Sequence, residues 1–196
     1  MGIEFELKFA ANEEALDAIA AVVPGEEVCY HMQTTYYDTP HSALSARKWT
    51  LRRRKENDRF ICTLKFPAGD RDRGEIEIPC DSIEKAIPEL CKLSGMEELS
   101  TLTQDGIVAV CSADFHRIAK TFTYQDTTME LALDKGILMG GGKEIPLCEM
   151  EIELKSGSRE TATVYAMGLA KAFGLQEETK SKFRRALDLA KEKGNV

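Results

Sequence analysis

The 196-residue chain predicts an α+β fold, a closed or nearly closed antiparallel β-barrel (a tunnel) of about eight strands with helices at its periphery. Three observations carry this expectation. Segments with two-residue periodicity recur along the chain and are bounded by turn residues. Capped helical segments lie between and after them. On several strands the polar face is charged, and the charges are sorted by sign from strand to strand.

Ile3-Glu4-Phe5-Glu6-Leu7-Lys8-Phe9 alternates apolar and charged residues and reads as a strand. Asn12 caps a helix with Glu13 and Glu14 in its first turn, which runs through Leu16, Ile19 and Val22 and stops at Pro24-Gly25. Val28 to Asp38 is β-like and closes at Thr39-Pro40. Trp49 to Arg54 and Arg59 to Phe66 form a hairpin with Glu56-Asn57-Asp58 at its turn, and Gly74 to Pro79 is another short strand. Ser82 to Leu93 is helical, although Pro88 weakens or kinks it. A second β region spans Phe115 to Tyr124 and Met129 to Leu133. Gly140-Gly141-Gly142 is a turn, and Leu147 to Lys155 is a strong strand. Two helices finish the chain, one near Ser158 to Gly174 and one roughly from Ser181 to Lys193. No repeat, low-complexity tract or linker divides it, so residues 1–196 read as a single domain.

Glu4, Glu6 and Lys8 share one face of the first strand and Ile3, Phe5, Leu7 and Phe9 the other. Glu75 and Glu77 oppose Ile76 and Ile78; Glu149, Glu151 and Glu153 oppose Met150, Ile152 and Leu154. Glu130 and Asp134 oppose Leu131 and Leu133, Arg52 and Arg54 share a face, and Lys65 opposes Leu64 and Phe66. Two arrangements fit. In one, a sheet turns its charged face to water. In the other, a barrel turns its apolar face outward onto helices and keeps the charges inside. Like charges about 7 Å apart on one strand face repel unless a cation sits among them. Carboxylates hold hard divalent cations through oxygen, and arginine and lysine bind phosphate oxygens. A lumen with both suits a metal–polyphosphate complex.

Composition narrows the classes. The chain is 43% hydrophobic and 30% charged, ordinary for a soluble globular protein. Its net charge of -7 argues against general attraction to nucleic acid or an anionic membrane. No run approaches the length of a membrane-spanning helix, and the charged N-terminus does not read as a signal or transit peptide. Cys29, Cys62, Cys80, Cys91, Cys111 and Cys148 form no C-x-x-C pair and read as buried thiols, so a cytoplasmic location is expected.

These residues resemble the CYTH proteins, or triphosphate tunnel metalloenzymes. The family hallmark, an N-terminal Glu-x-Glu-x-Lys, stands here as Glu4-Phe5-Glu6-Leu7-Lys8. In family order follow Tyr36-Tyr37-Asp38-Thr39-Pro40, Leu51-Arg52-Arg53-Arg54, Thr63-Leu64-Lys65, Gly74-Glu75-Ile76-Glu77, Phe115-His116-Arg117, Leu133-Asp134-Lys135-Gly136, the strand Cys148 to Lys155, and Ser181-Lys182. A lone Glu-x-Glu-x-Lys is weak; this ordered set over nearly the whole chain is specific. The resemblance implies a tunnel binding a triphosphate along its axis and hydrolysing it with Mg²⁺ or Mn²⁺. It places Lys8, Arg52, Arg54, Lys65, Arg117 and Lys182 on phosphate oxygens. Glu4, Glu6, Asp134, Glu149, Glu151 and Glu153 become metal ligands, and Glu75 and Glu77 supports for the arginines. Glu4, Glu6 and Lys8 are the expected catalytic strand, with a carboxylate there or in Glu149–Glu153 orienting the attacking water.

Inorganic tripolyphosphate is the first-choice substrate, since no base- or ring-binding platform is evident. The alternatives are a class IV-type adenylyl cyclase, a thiamine triphosphatase and a non-catalytic polyphosphate-binding module. Family thiamine triphosphatases use a tryptophan just before the Leu-Arg motif. Here Thr50 separates Trp49 from Leu51, which turns Trp49 out of the tunnel unless a bulge intervenes. Gly140-Gly141-Gly142-Lys143 lacks the Ser or Thr and the spacing of a P-loop. His31, His41 and His116 show no metal spacing, and of the C-terminal basic residues only Lys182 has a positional argument. The expected partner is a small triphosphate, without nucleic acid or membrane; the oligomeric state stays open, a homodimer included.

Overall fold

The alternating N-terminal segment forms two short strands, β1 (Gly2–Glu4) and β2 (Glu6–Ala10), interrupted at Phe5. A computed structural model describes residues 2–69 and 72–191; Lys193, the end of the last expected helix, lies outside them. The remaining strands are β3 (Val28–Asp38), β4 (Thr50–Glu56), β5 (Arg59–Pro67), β6 (Arg73–Pro79), β7 (Val108–Tyr124), β8 (Thr127–Gly140), β9 (Lys143–Ser156) and β10 (Gln176–Glu177). Helices are α1 (Glu13–Val22), α2 (Ala43–Ala46), α3 (Ile83–Ser94), α4 (Glu97–Thr103), α5 (Arg159–Ala172) and α6 (Lys182–Lys191).

The strands form one curled antiparallel sheet in the order β1-β6-β5-β4-β3-β7-β8-β9-β2-β10. Because β1 pairs with β6 while β2 pairs with β9, the ladder returns on itself through the N-terminal segment. Among the described residues the sheet has ten strands against the expected eight or so. The surplus is the split at Phe5 and the two-residue β10. Hairpin turns follow their chemistry. Gly141 and Gly142, with φ of 60° and 78°, close β8 onto β9, as Gln125 and Asp126 close β7 onto β8.

Period-two alternation puts the apolar side chains on the convex face, where helices cover them. Leu7, Phe9, Leu131, Leu133, Met150 and Ile152 pack with Leu16 and Ile19 of α1 and Ala162 and Ala166 of α5. Trp49, Leu51, Leu64 and Ile76 pack with Leu44 of α2, Ile83 and Leu90 of α3 and Leu99 of α4. Trp49 therefore points out of the tunnel.

Helix α6 is placed differently. Its Phe183, Ala186 and Leu187 pack on Tyr36, Cys111, Ala113, Phe115, Leu138 and Leu147. Register puts Phe115, Leu138 and Leu147 on the same face as Arg117, Asp134 and Glu149. So α6 lies on the concave side, filling one end of the curl, while α1 to α5 stay at the periphery. Its closeness depends on Gly140, whose added Cβ would meet the Ala186 carbonyl oxygen at 2.0 Å. Gly140→Ala is expected to cost about 1–3 kcal/mol through this clash; a melting temperature equal to wild type would show that α6 is not seated there.

One family segment has a structural task. Asp38 is 1% exposed and accepts backbone N–H bonds from Thr39 at 2.7 Å, Leu44 at 2.9 Å and Ser45 at 3.1 Å, which hold the start of α2. Asp38→Ala leaves these donors without their partner and should cost roughly 1–3 kcal/mol in chemical denaturation; an unchanged midpoint would contradict that account.

Candidate active site

The charges that alternate with buried outward apolar residues point inward. The densest group joins β7, β8, β9 and α6. Arg117 bonds Asp134 in bidentate fashion, Nε to Oδ1 and Nη2 to Oδ2 both at 2.7 Å, and donates to Glu151 at 2.6 Å. Lys182, brought in by α6, donates to Asp134 at 2.7 Å, to Glu151 at 2.8 Å and to Glu149. Arg185, one turn further along α6, bonds Glu149. Asp134 and Glu149 are 0% exposed and Glu151 9%. Burying three carboxylates this close is tolerable only with cations among them.

The titration behaviour follows from this packing. Burial pushes Glu149 up to about 7 against the pull of Lys182. Burial also opposes the charge of Glu151, but Lys182 and Arg117 outweigh it and hold Glu151 well below the usual carboxylate range. Lys182 and Arg117, though buried, are raised by their carboxylate neighbours. Lys8 is raised too, its burial overcome by Glu6, Glu151 and Glu149.

A second group lines β4, β5 and β6. Arg52 reaches Glu75 and Glu77, each at 3.3 Å. Arg54 pairs with Glu56 and, at 3.7 Å, with Glu77. Lys65 bonds Glu4 at 2.5 Å and Glu75 at 3.1 Å, and the Thr63 hydroxyl donates to Glu77 at 2.9 Å. Glu75 thus contacts Arg52, and Glu77 contacts both Arg52 and Arg54. Burial lowers the Arg54 guanidinium and neighbouring Arg52 lowers it further. A third, looser group pairs Lys8 with Glu6 at 3.0 Å and Lys155 with Glu153 at 2.9 Å and Glu130 at 3.4 Å.

The expected metal ligands are therefore only partly gathered. Among the described residues, Asp134, Glu149 and Glu151 form the carboxylate group whose oxygens lie within 4.8 Å of one another. Glu4 belongs to the second group and Glu6 and Glu153 to the third, because the N-terminal strand changes partner at Phe5. The three gathered carboxylates offer oxygen donors only, the set a hard divalent cation takes. The Lys182 ammonium, bonded to all three, marks a point where positive charge is accommodated.

Several lining residues escape a reading by motif. The Nε atoms of Arg52, Arg54, Arg73 and Arg185 are buried without a hydrogen-bond partner. Such orphaned donors are rare in folded proteins and point to an absent acceptor. Arg73 shares its strand face with Glu75 and Glu77, and Arg185 stands three residues after Lys182 on one helix face, so both positions carry a periodicity signal. Tyr36, 3% exposed, opposes Arg52 and lies 5.2 Å from the Phe183 ring; burial raises its phenol.

The curled antiparallel sheet with paired acids and bases across its concave face defines a class of tunnel-like domain with a charged lumen. The CYTH domain family matches residues 2–187, and the chain belongs to that family. It is 31% identical over 163 residues to the inorganic triphosphatase of Haemophilus influenzae, a match covering 79% of this chain and 46% of that protein. The chain thus spans about half the length of the curated relative it matches. Among solved structures, a protein from Pyrococcus horikoshii OT3 superposes with a TM-score of 0.63 at 21% identity, over 95% of this chain and 99% of that one. A putative adenylate cyclase from Bacillus halodurans gives 0.61 at 18% identity over 94% and 98%. A putative adenylyl cyclase from Hippeastrum, described as having a dominant triphosphatase activity, gives 0.61 at 16% over 96% of both. At these identities the likeness is one of fold. No helix among the described residues is long and apolar enough to cross a membrane.

Proposed function

We propose that this domain hydrolyses a triphosphate in a divalent-metal-dependent reaction, with inorganic tripolyphosphate as its preferred substrate. The observation that carries the reading is the pairing of two features in one lumen: three buried carboxylates converging on one cation position, and buried arginine donors without acceptors. A polyanion alone needs no carboxylates; a polyanion with a metal needs both.

Asp134, Glu149 and Glu151 would hold Mg²⁺ or Mn²⁺, which when bound neutralises phosphoryl oxygens and makes water more acidic. Arg52, Arg54 and Lys65 on one wall, and Arg117, Lys182 and Lys8 on the other, grip the phosphate oxygens and hold the chain in line. Arg73 and Arg185 extend that grip. Glu75 and Glu77 keep the arginines extended before substrate arrives, so little reorganisation is needed. A carboxylate of the Glu4–Glu6 segment or of Glu149–Glu153 orients the water that attacks the terminal phosphorus. The outward Trp49 counts against a thiamine ring, and the relative from Haemophilus influenzae, an inorganic triphosphatase, supports tripolyphosphate.

The test is phosphate release from tripolyphosphate, ATP and thiamine triphosphate with Mg²⁺, Mn²⁺ or EDTA. Metal-dependent release fastest from tripolyphosphate, and lost in Glu149→Gln/Glu151→Gln, is expected. Cyclic nucleotide formed from ATP would make this a cyclase, and metal-dependent binding without turnover would make it a binding module.

A further inference from the structure

On the convex side, β3 and β7 carry a stripe of outward residues, Cys29, His31, Gln33, Asp114 and His116, that are exposed or half-buried. The outward residues of β3 alternate with its buried lumenal ones, and His31 falls directly opposite His116 of β7. The two imidazoles stack, with ring centroids 4.6 Å apart and an interplanar angle of 16°. His31 Nε2 lies 2.6 Å from Asp114 Oδ1, while Gln33 donates to the other Asp114 oxygen at 3.0 Å. Cys29, exposed and unoxidised, stands two residues before His31 and opposite Ile118, which makes it the diagonal neighbour of His116. Asn57 accepts from the His31 backbone N–H at 2.9 Å and donates its own to the His31 carbonyl at 3.0 Å, fixing the backbone beneath the ring.

We propose that His31, His116 and Cys29 form a surface site for a borderline transition-metal ion such as Zn²⁺, with Asp114 as the positioning residue for His31. Two imidazole nitrogens and a thiolate form a zinc-type donor set, unlike the all-oxygen group of the lumen. Opposed residues on paired strands hold their Cβ atoms about 4.5–5.5 Å apart, and diagonal residues are about 7–8 Å apart, spans that ligands at about 2.0–2.3 Å can bridge. The carboxylate on Nε2 keeps the proton there and leaves Nδ1 as the ligand atom, the carboxylate–histidine–metal arrangement. Both rings are partly open to solvent and can turn out of the stack to share one ion; the His31 side chain is 42% exposed. The neighbouring cation, Lys135, is engaged by Glu13 at 2.5 Å. The pairing of His31 with His116 is invisible in linear spacing because the two lie on different strands, β3 and β7.

The test is titration of the chelator-treated protein with Co²⁺, followed by displacement with Zn²⁺. One Co²⁺ per chain carrying a near-ultraviolet thiolate charge-transfer band is expected, separate from any Co²⁺ on the all-oxygen lumenal carboxylates, which gives no such band. His31→Ala and His116→Ala should each weaken binding by at least about tenfold, and Asp114→Asn by about 10–100-fold. Cys29→Ser should remove the charge-transfer band. Circular dichroism of the surface variants, expected to match wild type, separates lost binding from lost fold. A wild-type titration without the thiolate band, or affinity unaffected by His116→Ala, overturns the site.

Discussion

Lys182→Met is expected to lower stability by about 3–5 kcal/mol at pH 7, since it strands three buried carboxylates without the ammonium that joins them. For a chain of this size that is a fall in melting temperature of roughly 6–20 °C. The sign of the pH dependence follows from Glu151. Its folded-state pKa is depressed, so it contributes stability above its unfolded pKa and loses it as pH falls through the folded value. Removing Lys182 removes part of that contribution. The gap between wild type and variant should therefore be widest near neutrality and close in acid. Mg²⁺ or Mn²⁺ should restore part of the variant's stability, and restore more than either adds to wild type. Scanning fluorimetry from about pH 2 to 8, with metal or EDTA, checks both points. A variant that melts with wild type at neutral pH would mean that the cluster is not confined as described.

The largest kinetic effect is expected in β4. Arg52→Ala and Arg54→Ala should each lower kcat/KM for tripolyphosphate by about 10²–10³-fold, and the double variant by about 10³–10⁵-fold. Arg53 is the internal control. It lies between them in sequence but points outward, its guanidinium 5.3 Å from the centre of the Phe60 ring and bonded to the Asp81 carbonyl at 3.1 Å. Arg53→Ala should leave kcat/KM near the wild-type value. Equal losses at Arg52 and Arg53 would contradict the alternation on which the lumen is built. If the arginines act on the transferred group, the losses fall on kcat; if they only retain substrate, the losses fall on KM.

Much of this was legible in the linear chain because local rules and the tertiary structure agree. Val28–Asp38 is one strand end to end, since it is rich in β-branched and aromatic residues and Met32, Thr34, Tyr36 and Asp38 on one face are buried. Asn12 and Ser158 cap the helices expected after them. Other elements carry little local signal. Helix α4 has no side-chain cap and exists because Leu99 fills the cluster beneath α3. The early half of β7 and the late half of β8, through Ala109, Ser112 and Gly136, have weak strand propensity, and pairing with β3 and contact with α6 draw them into the sheet. The site divides in the same way. Alternation picks out which residues face inward, but not which of them meet.

By itself the sequence determined the sign and face of the charges on the alternating strands, because a strand's two-residue period leaves no choice once its apolar face is buried; Lys182 and Arg185, on a helix, lie outside that rule. It also determined that acids and bases would occupy the same side. Only the tertiary structure decided the partners. The break at Phe5 sends Glu4 to Lys65 and Glu6 to Lys8. The absent side chain at Gly140 admits α6 into the concave face and brings Lys182 and Arg185 to the carboxylates. Strand register sets Asp134 beside Glu149 and His31 beside His116. Periodicity is a property of one segment, whereas a cluster depends on distances between segments, and those exist only after the chain has packed.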